Sequence, residues 1–274
     1  MSEAVLYRKR IKSGLLRELN AMVTIAARDI ILYFKSPGNI AMGLFMPIIM
    51  MGMLGGSLSQ NMASGLGFNY DQFMLIGMLV NMLFMTTTTG VASLVEDRIT
   101  DFTQEMLVSP ISRYAIVSGK IIGSSFGAMV SMIGTLVIGA IMGISITLHQ
   151  TLLIFLLAPL MCMSAGALAM VVIGLIRSNK MANMAVMLIS MPQMFLSGAI
   201  IPINHSSGVL FYLSRLMPMT YCLDLVRAVV YKGYEGYDTV VMFNPVINLI
   251  AIIGLTLSLL VIGTYFYVRS EKNR

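Results

Sequence analysis

Charged residues in this chain are confined to clusters, and between the clusters lie five long stretches with no formal charge: Ser36 to Tyr70, Gln72 to Val95, Ile121 to Ile176, Met181 to Ser214 and Thr239 to Val268. A helix that crosses a bilayer needs about 20 mostly apolar residues, and a charge at its centre costs about 2.5 to 3.5 kcal/mol on insertion scales. The lengths predict one span in each of four stretches and two in Ile121 to Ile176. The expected spans are Asn39 to Leu58, Gln72 to Val95, Tyr114 to Ile144, Thr151 to Ile176, Met181 to Ile201 and Asn244 to Val268. Ahead of them, Leu15, Leu16, Leu19, Met22, Val23, Ala26 and Ile30 recur at helical spacing, with Arg17, Asn20, Thr24 and Arg28 on another face. That pattern predicts an amphipathic helix lying in the membrane interface.

Composition agrees, with 57% hydrophobic and 11% charged residues, against about 25% charged in soluble domains. The division expected is an amino-terminal arm over residues 1–35, a six-span membrane domain over 36–268 and a tail over 269–274. With the amino terminus in the cytoplasm, only Arg215, Arg227 and Lys232 of the 18 basic residues fall outside. This asymmetry predicts a multi-pass inner-membrane protein with both termini cytoplasmic. The net charge of +6 is then a lipid signal, and no nucleic-acid partner is expected. The early basic cluster Arg8, Lys9, Arg10 and Lys12 precedes any long apolar run, so the first span is expected to serve as an uncleaved insertion signal. Cys162 and Cys222 lie in different surroundings, and neither a disulfide nor a metal site is expected.

The chemistry of intramembrane enzymes is missing. Paired intramembrane aspartates, a His-Glu-x-x-His motif and a serine-histidine arrangement are all absent, and the two histidines, His149 and His205, fall in outer connections. Gly119-Lys120-Ile121 lacks the glycine-rich loop and the hydroxyl of a nucleotide-binding motif. No ATPase activity and no cofactor is expected of the chain itself. An ion-coupled carrier would place an acid or base at the midplane, and the expected spans place none there. Milder groups remain as candidates to line a pathway: Asn81, Thr86, Thr87, Thr88 and Thr89 in the second span, with Gln193 and Ser197 in the fifth. Four consecutive hydroxyls cannot all face one neighbour, and threonines also bond back to their own helix. The glycines Gly52, Gly55 and Gly56, the set Gly119, Gly123 and Gly127, and the pair Gly166 and Gly174 would let helices approach closely. The 27 methionines are spread through every span and read as apolar filling.

Two segments carry the functional argument. Residues Glu96 to Pro110, between the second and third spans, read as a short helix ended by proline. Asp97, Asp101 and Glu105 share one face of it, and Ile99, Phe102 and Met106 another. A loop this acidic among basic ones suits docking on a protein. Beyond the fifth span come Phe195 to Pro202, Leu210 to Leu216 and Met217 to Val229, whose apolar pieces are too short to cross. They predict re-entrant or interfacial helices over the outer mouth, with Asp224 and Arg227 spaced to pair across a turn.

In these features the chain closely resembles the membrane subunits of ABC type-2 exporters. The resemblance rests on the interfacial helix, six spans, the acidic segment ending in proline, and a signature formed by Ser197, Gly198, Pro202, Pro218, Thr220, Asp224 and Arg227. Met217 and the stretch Asn204 to Gly208 depart from the usual pattern. It implies an all-α integral membrane protein with an amino-terminal interfacial helix, a short cytoplasmic coupling helix and outer re-entrant helices before the last span. It also implies a permease that dimerises with an identical or related chain and is driven by separate ATPase subunits, which hold the ATP and magnesium. The coupling residues would be Glu96, Asp97, Arg98, Asp101, Phe102, Glu105, Met106 and Pro110, and the outer cap Gly198, Pro202, Pro218, Thr220, Tyr221, Asp224 and Arg227. The expected cargo is a drug, a lipid or a lipid-linked glycan. The alternatives from other classes are an ATPase-independent channel or carrier and a non-transporting scaffold or regulatory subunit.

Overall fold

The computed structural model describes residues 3–55, 67–99, 112–176, 178–204, 207–234 and 236–272, and the described residues form helices and their connections. The first helix, α1 (Glu3–Lys35), is followed by α2 (Pro37–Ile49), in which proline occupies the first position, where its missing N–H is harmless. Pro47 sits inside α2, and beyond it the helix widens into a π-helical stretch, Met50–Gly55. A proline within a helix removes one donor and crowds the preceding turn, which accounts for the break in regular bonding. Then come α3 (Tyr70–Ile99), α4 (Arg113–Ile141), α5 (Leu148–Ile173) and α6 (Asn179–Leu196). A bent pair, α7 (Val209–Leu216) and α8 (Pro218–Val230), turns through 83° at Met217. A single turn, α9 (Tyr237–Val240), leads to α10 (Pro245–Lys272).

Local chemistry sets several of these boundaries. Ser112 caps α4 by accepting from the Ala115 N–H at 3.1 Å. Thr147 and Gln150 form a reciprocal capping box at the start of α5, satisfying donors that a helix start leaves open. His149, expected in a connection, is therefore in the first turn of a helix. Helix α6 stops short of the expected Ile201 because Gly198 adopts a φ of 79°. The Ala199 N–H then reaches the Met194 carbonyl and the Gly198 N–H the Phe195 carbonyl, both at 3.3 Å. This is the glycine-terminated reversal that closes many helices.

Four helical stretches are long and apolar enough to cross a membrane: Tyr70–Asp97, Tyr114–Ile141, Leu148–Ile173 and Tyr237–Phe266; the bent pair α7 and α8 brings the number to five among the described residues if it counts as one span. The expected first and fifth spans are present as shorter apolar helices, Gly43–Met53 and Met184–Leu196.

Helix α3 is the centre of the bundle. Phe73, Met74, Leu75, Ile76, Met78, Leu79, Val80 and Leu83 are buried, and Ala128 and Met132 of α4, Ile154, Ala158, Met161 and Ala165 of α5, and Leu223 and Val226 of α8 complete the same core. By contrast α10 leaves Val246, Ile250, Leu257, Val261 and Tyr265 exposed along its length, as a helix facing hydrocarbon would.

The expected amphipathic helix is also a packing helix. A side chain added at Gly119 would meet the backbone of Met22, one at Gly123 would lie 2.7 Å from the Asp29 Cβ, and one at Gly127 2.7 Å from the Tyr33 ring. Helix α1 therefore runs beside α4 in the same direction, seated on the predicted glycine stripe. Ile25 and Ala26 are buried there while Leu16, Leu19 and Val23 stay exposed. Small residues permit this approach because helix backbones can close to contact.

Replacing Gly123 by valine should lower stability by about 1 to 3 kcal/mol, the usual penalty of overpacking a tight contact. Gly254→Ala, inside α10 where an added Cβ meets nothing within 4 Å, should leave stability unchanged or raise it by up to about 1 kcal/mol, the helix preference of alanine over glycine. Thermal unfolding of the two variants in detergent distinguishes them.

Candidate functional site

The most charged region of the described fold lies where α3 ends and α4 begins. Asp97 accepts from Arg28 Nη2 at 2.7 Å through one carboxylate oxygen and from Lys120 Nζ at 2.9 Å through the other. Lys120 Nζ also donates to Asp29 at 3.0 Å, and Arg28 Nη1 lies 3.6 Å from the same Asp29 oxygen. Two acids and two bases from three helices are thus joined in one cluster. The Lys120 side chain is 2% exposed and that of Asp97 8%. Burial pushes the Asp29 carboxyl above the usual carboxylate range, while Lys120 draws it back down. Desolvated charges are tolerable only when paired and hydrogen-bonded, and each of these four groups meets one of opposite sign.

A second contact lies beside it. The Glu18 carboxylate of α1 accepts the Ser112 backbone N–H at 2.9 Å and the Ser112 hydroxyl at 2.6 Å. Helix α1 therefore holds the last turns of α3 through Arg28 and the first residue before α4 through Glu18. Those two anchor points bracket residues 100–111.

The expected coupling residues divide accordingly. Glu96, Asp97 and Arg98 belong to the continuous helix α3, and not to a separate short helix. Asp97 is turned inward onto Arg28 and Lys120, whereas Glu96 is exposed. Asp101, Phe102, Glu105, Met106 and Pro110 lie outside the described residues. Sequence reasoning passed over Asp29 and Lys120. The signal for Lys120 was a lone basic residue two turns inside an apolar helix, which needs an acid beside it.

The pathway candidates surround α3 and do not converge on one face. Thr87 and Thr88 are buried, Thr89 is exposed and donates to the Met85 carbonyl at 2.8 Å, and Thr86 donates to the Ser131 hydroxyl at 3.3 Å. Asn81, Gln193 and Ser197 are buried. Among the described residues the Ser197 hydroxyl and the Gln193 amide nitrogen find no hydrogen-bond partner, so they keep unused polar capacity within the apolar bundle.

At the opposite end, the signature residues knit the bundle together. Arg227, fully buried, donates to the Gly198 carbonyl at 2.7 Å and stacks 3.7 Å above the Phe73 ring. Asp224, also fully buried, accepts the Met242 and Phe243 backbone N–H groups at 2.7 and 2.9 Å and the Asn248 amide at 2.8 Å. The expected Asp224–Arg227 pair does not form. Each side chain instead finds a partner distant in sequence: Asp224 holds the strap into α10, and Arg227 holds the turn after α6. Thr220 bonds the Ser214 carbonyl, Tyr221 the Arg215 carbonyl at 2.9 Å, and Pro218 opens α8. Gly77 allows the Ala199 carbonyl to rest against α3, and Tyr70 donates to the Ile200 carbonyl at 2.9 Å. Pro202 is half-buried in the connection that follows. Both cysteines are buried and unbridged.

Residues 20–231 match the family model described as ABC-2 type transporter. The chain is 26% identical to Nodulation protein J of Rhizobium meliloti (strain 1021) over 67% of its own length and 70% of that protein. It is 24% identical to the transport permease ycf38 of Cyanophora paradoxa over 70% of this chain and 68% of the other. A likeness to ycf38 of Porphyra purpurea, at 22% identity, covers 95% and 90%. The matched region contains both the charged cluster, from Arg28 onward, and the signature through Arg227.

Asp97→Asn should lower stability by about 3 kcal/mol, because the buried Lys120 loses one of its acids and the half-buried Arg28 its hydrogen-bonded carboxylate. Thr89→Ala, which removes only a bond to the same helix, should stay within about 0.5 kcal/mol of the parent. Thermal melts of both proteins check the pair.

Proposed function

Because the chain belongs to the ABC-2 type transporter family, we propose that it is the permease subunit of an ATP-driven exporter, powered by ATPase subunits on separate chains. In this reading six spans cross the inner membrane, with α2 and α6 as the first and fifth, both termini are cytoplasmic, and the bent pair α7 and α8 re-enters from the outer side. Two such chains enclose the pathway, and the cargo is a hydrophobic or amphipathic molecule such as a drug, a lipid or a lipid-linked glycan. The permease then works mechanically: it holds cargo better in one arrangement of helices than the other, and ATP biases which arrangement is populated.

The observation that carries this reading is the pair of anchors around residues 100–111. A segment that receives a push from another protein must be tied to the helices it moves, or the displacement is lost in its own flexibility. Arg28 on Asp97 and Glu18 on Ser112 supply such ties at both ends. A force on this segment would pass to α3, the central helix, and through α1 to α4. The exposed Glu96 and the residues Asp101, Phe102, Glu105 and Met106 are the proposed contacts with the ATPase.

Purification of a tagged copy under mild extraction should recover an ATPase chain with it. Phe102→Ala/Glu105→Ala should lose that chain or uncouple its turnover from cargo, while thermal stability is unchanged. Flux in liposomes of the purified chain without any ATPase would instead favour a channel or carrier.

A further inference from the structure

We propose that Arg215 is the centre of a binding site for the phosphate of a lipid headgroup, at the end of the bundle where α7, α8 and the strap before α10 meet. The inference rests on the membrane arrangement proposed above, in which that end faces the outer leaflet. Arg215 is exposed at the last turn of α7, and its guanidinium lies 3.6 Å above the Phe211 ring and 5.3 Å from that of Phe243. Among the described residues no carboxylate forms an ion pair with it. Stacking on an aromatic face fixes the plane of a guanidinium and leaves its edge, with the N–H donors, open. A flat, pre-oriented edge of this kind matches two oxygens of a phosphate.

The platform beneath it is rigid. Phe243 stacks on Tyr221 with centroids 5.7 Å apart, and the Tyr221 hydroxyl donates to the Arg215 carbonyl at 2.9 Å. The Phe243 backbone N–H is in turn held by the buried Asp224 carboxylate at 2.9 Å. The signature aspartate thus sets the wall against which Arg215 rests. Around the cation, α7 presents Val209, Tyr212 and Leu216, exposed at 75%, 71% and 65%. An unpaired cation bordered by exposed apolar side chains calls for an occupant that brings negative charge and hydrocarbon together. A phosphate carried on an acyl lipid has both, and a free anion or a soluble partner has only one.

The chain contains no tryptophan, so Tyr212→Trp provides a single reporter on α7. The full-length reporter protein, in a phosphate-free maltoside detergent, would be titrated with acyl-brominated phosphatidylglycerol and with acyl-brominated diacylglycerol. Half-quenching is expected at about tenfold lower phosphatidylglycerol than diacylglycerol, the order expected of a charge-assisted bond. Arg215→Gln in the reporter should remove the difference and Arg215→Lys should keep part of it, with unchanged melting temperature in both. Equal half-points for the two lipids, or a preference that survives Arg215→Gln, overturns the site while leaving the permease reading intact. Competition by inorganic phosphate at or below the lipid's own half-point would assign the edge to a free anion and also overturn it. Absence of quenching by either lipid would overturn the site; cross-linking through α7 would then show a second copy covering it, which leaves the membrane arrangement intact, and no cross-link would place α7 outside the lipid and overturn that arrangement too.

Discussion

The cluster of Arg28, Asp29, Asp97 and Lys120 is the constraint on which the arrangement of this bundle depends. Lys120 cannot be buried at 2% exposure without an acid beside it, and the acids come from two other helices. Its placement therefore fixes where α1 and α3 must cross α4. The glycines at 119, 123 and 127 let α1 come close enough for Asp29 to reach that lysine. Charge and shape specify the same contact, and neither would suffice alone. Replacing such a cluster by apolar side chains of similar volume often costs little. The role of this cluster is geometric: it fastens a helix outside the expected spans to the centre of the bundle.

The opposite end follows a different logic. There the buried charges do not meet each other; each satisfies backbone groups that loops leave open. Asp224 collects two N–H groups and an amide from the strap into α10, while Arg227 donates to the Gly198 carbonyl left by the reversal after α6. These bonds tie α8 to the strap before α10 and to the turn after α6. One end of the molecule thus joins helices to one another, and the other end joins helices to loops. Helix α3 joins the two ends, since its early residues, Phe73 and Gly77, touch Arg227 and the Ala199 carbonyl.

Most of the helical layout was legible in the sequence, because long charge-free runs admit few solutions once backbone bonding must be internal. The glycine stripe on α4 was legible too, although its partner was not. Spacing shows which residues share a face, and it cannot show that α1 returns to lie there. The same limit explains Asp97. Beside Asp101 and Glu105 it reads as part of an outward acidic face, and only the fold brings Arg28 and Lys120 to it from 69 and 23 residues away. Asp224 and Arg227 mislead in the same manner: a three-residue spacing suggests a local pair, but buried carbonyl and N–H groups from distant loops compete more strongly. The four hydroxyls of the threonine run divide between buried, bonded and exposed positions, as consecutive residues of one helix must.

The central claim is that Arg28 and Asp97 act as one unit joining α1 to α3. A double-mutant cycle of Arg28→Gln and Asp97→Asn, read by unfolding free energy in detergent, tests it most directly. The account predicts that the double variant is more stable than the sum of the single losses implies, by about 1 kcal/mol or more, as expected for residues in direct contact. Single losses that add to within about 0.3 kcal/mol, the behaviour of independent sites, would contradict it.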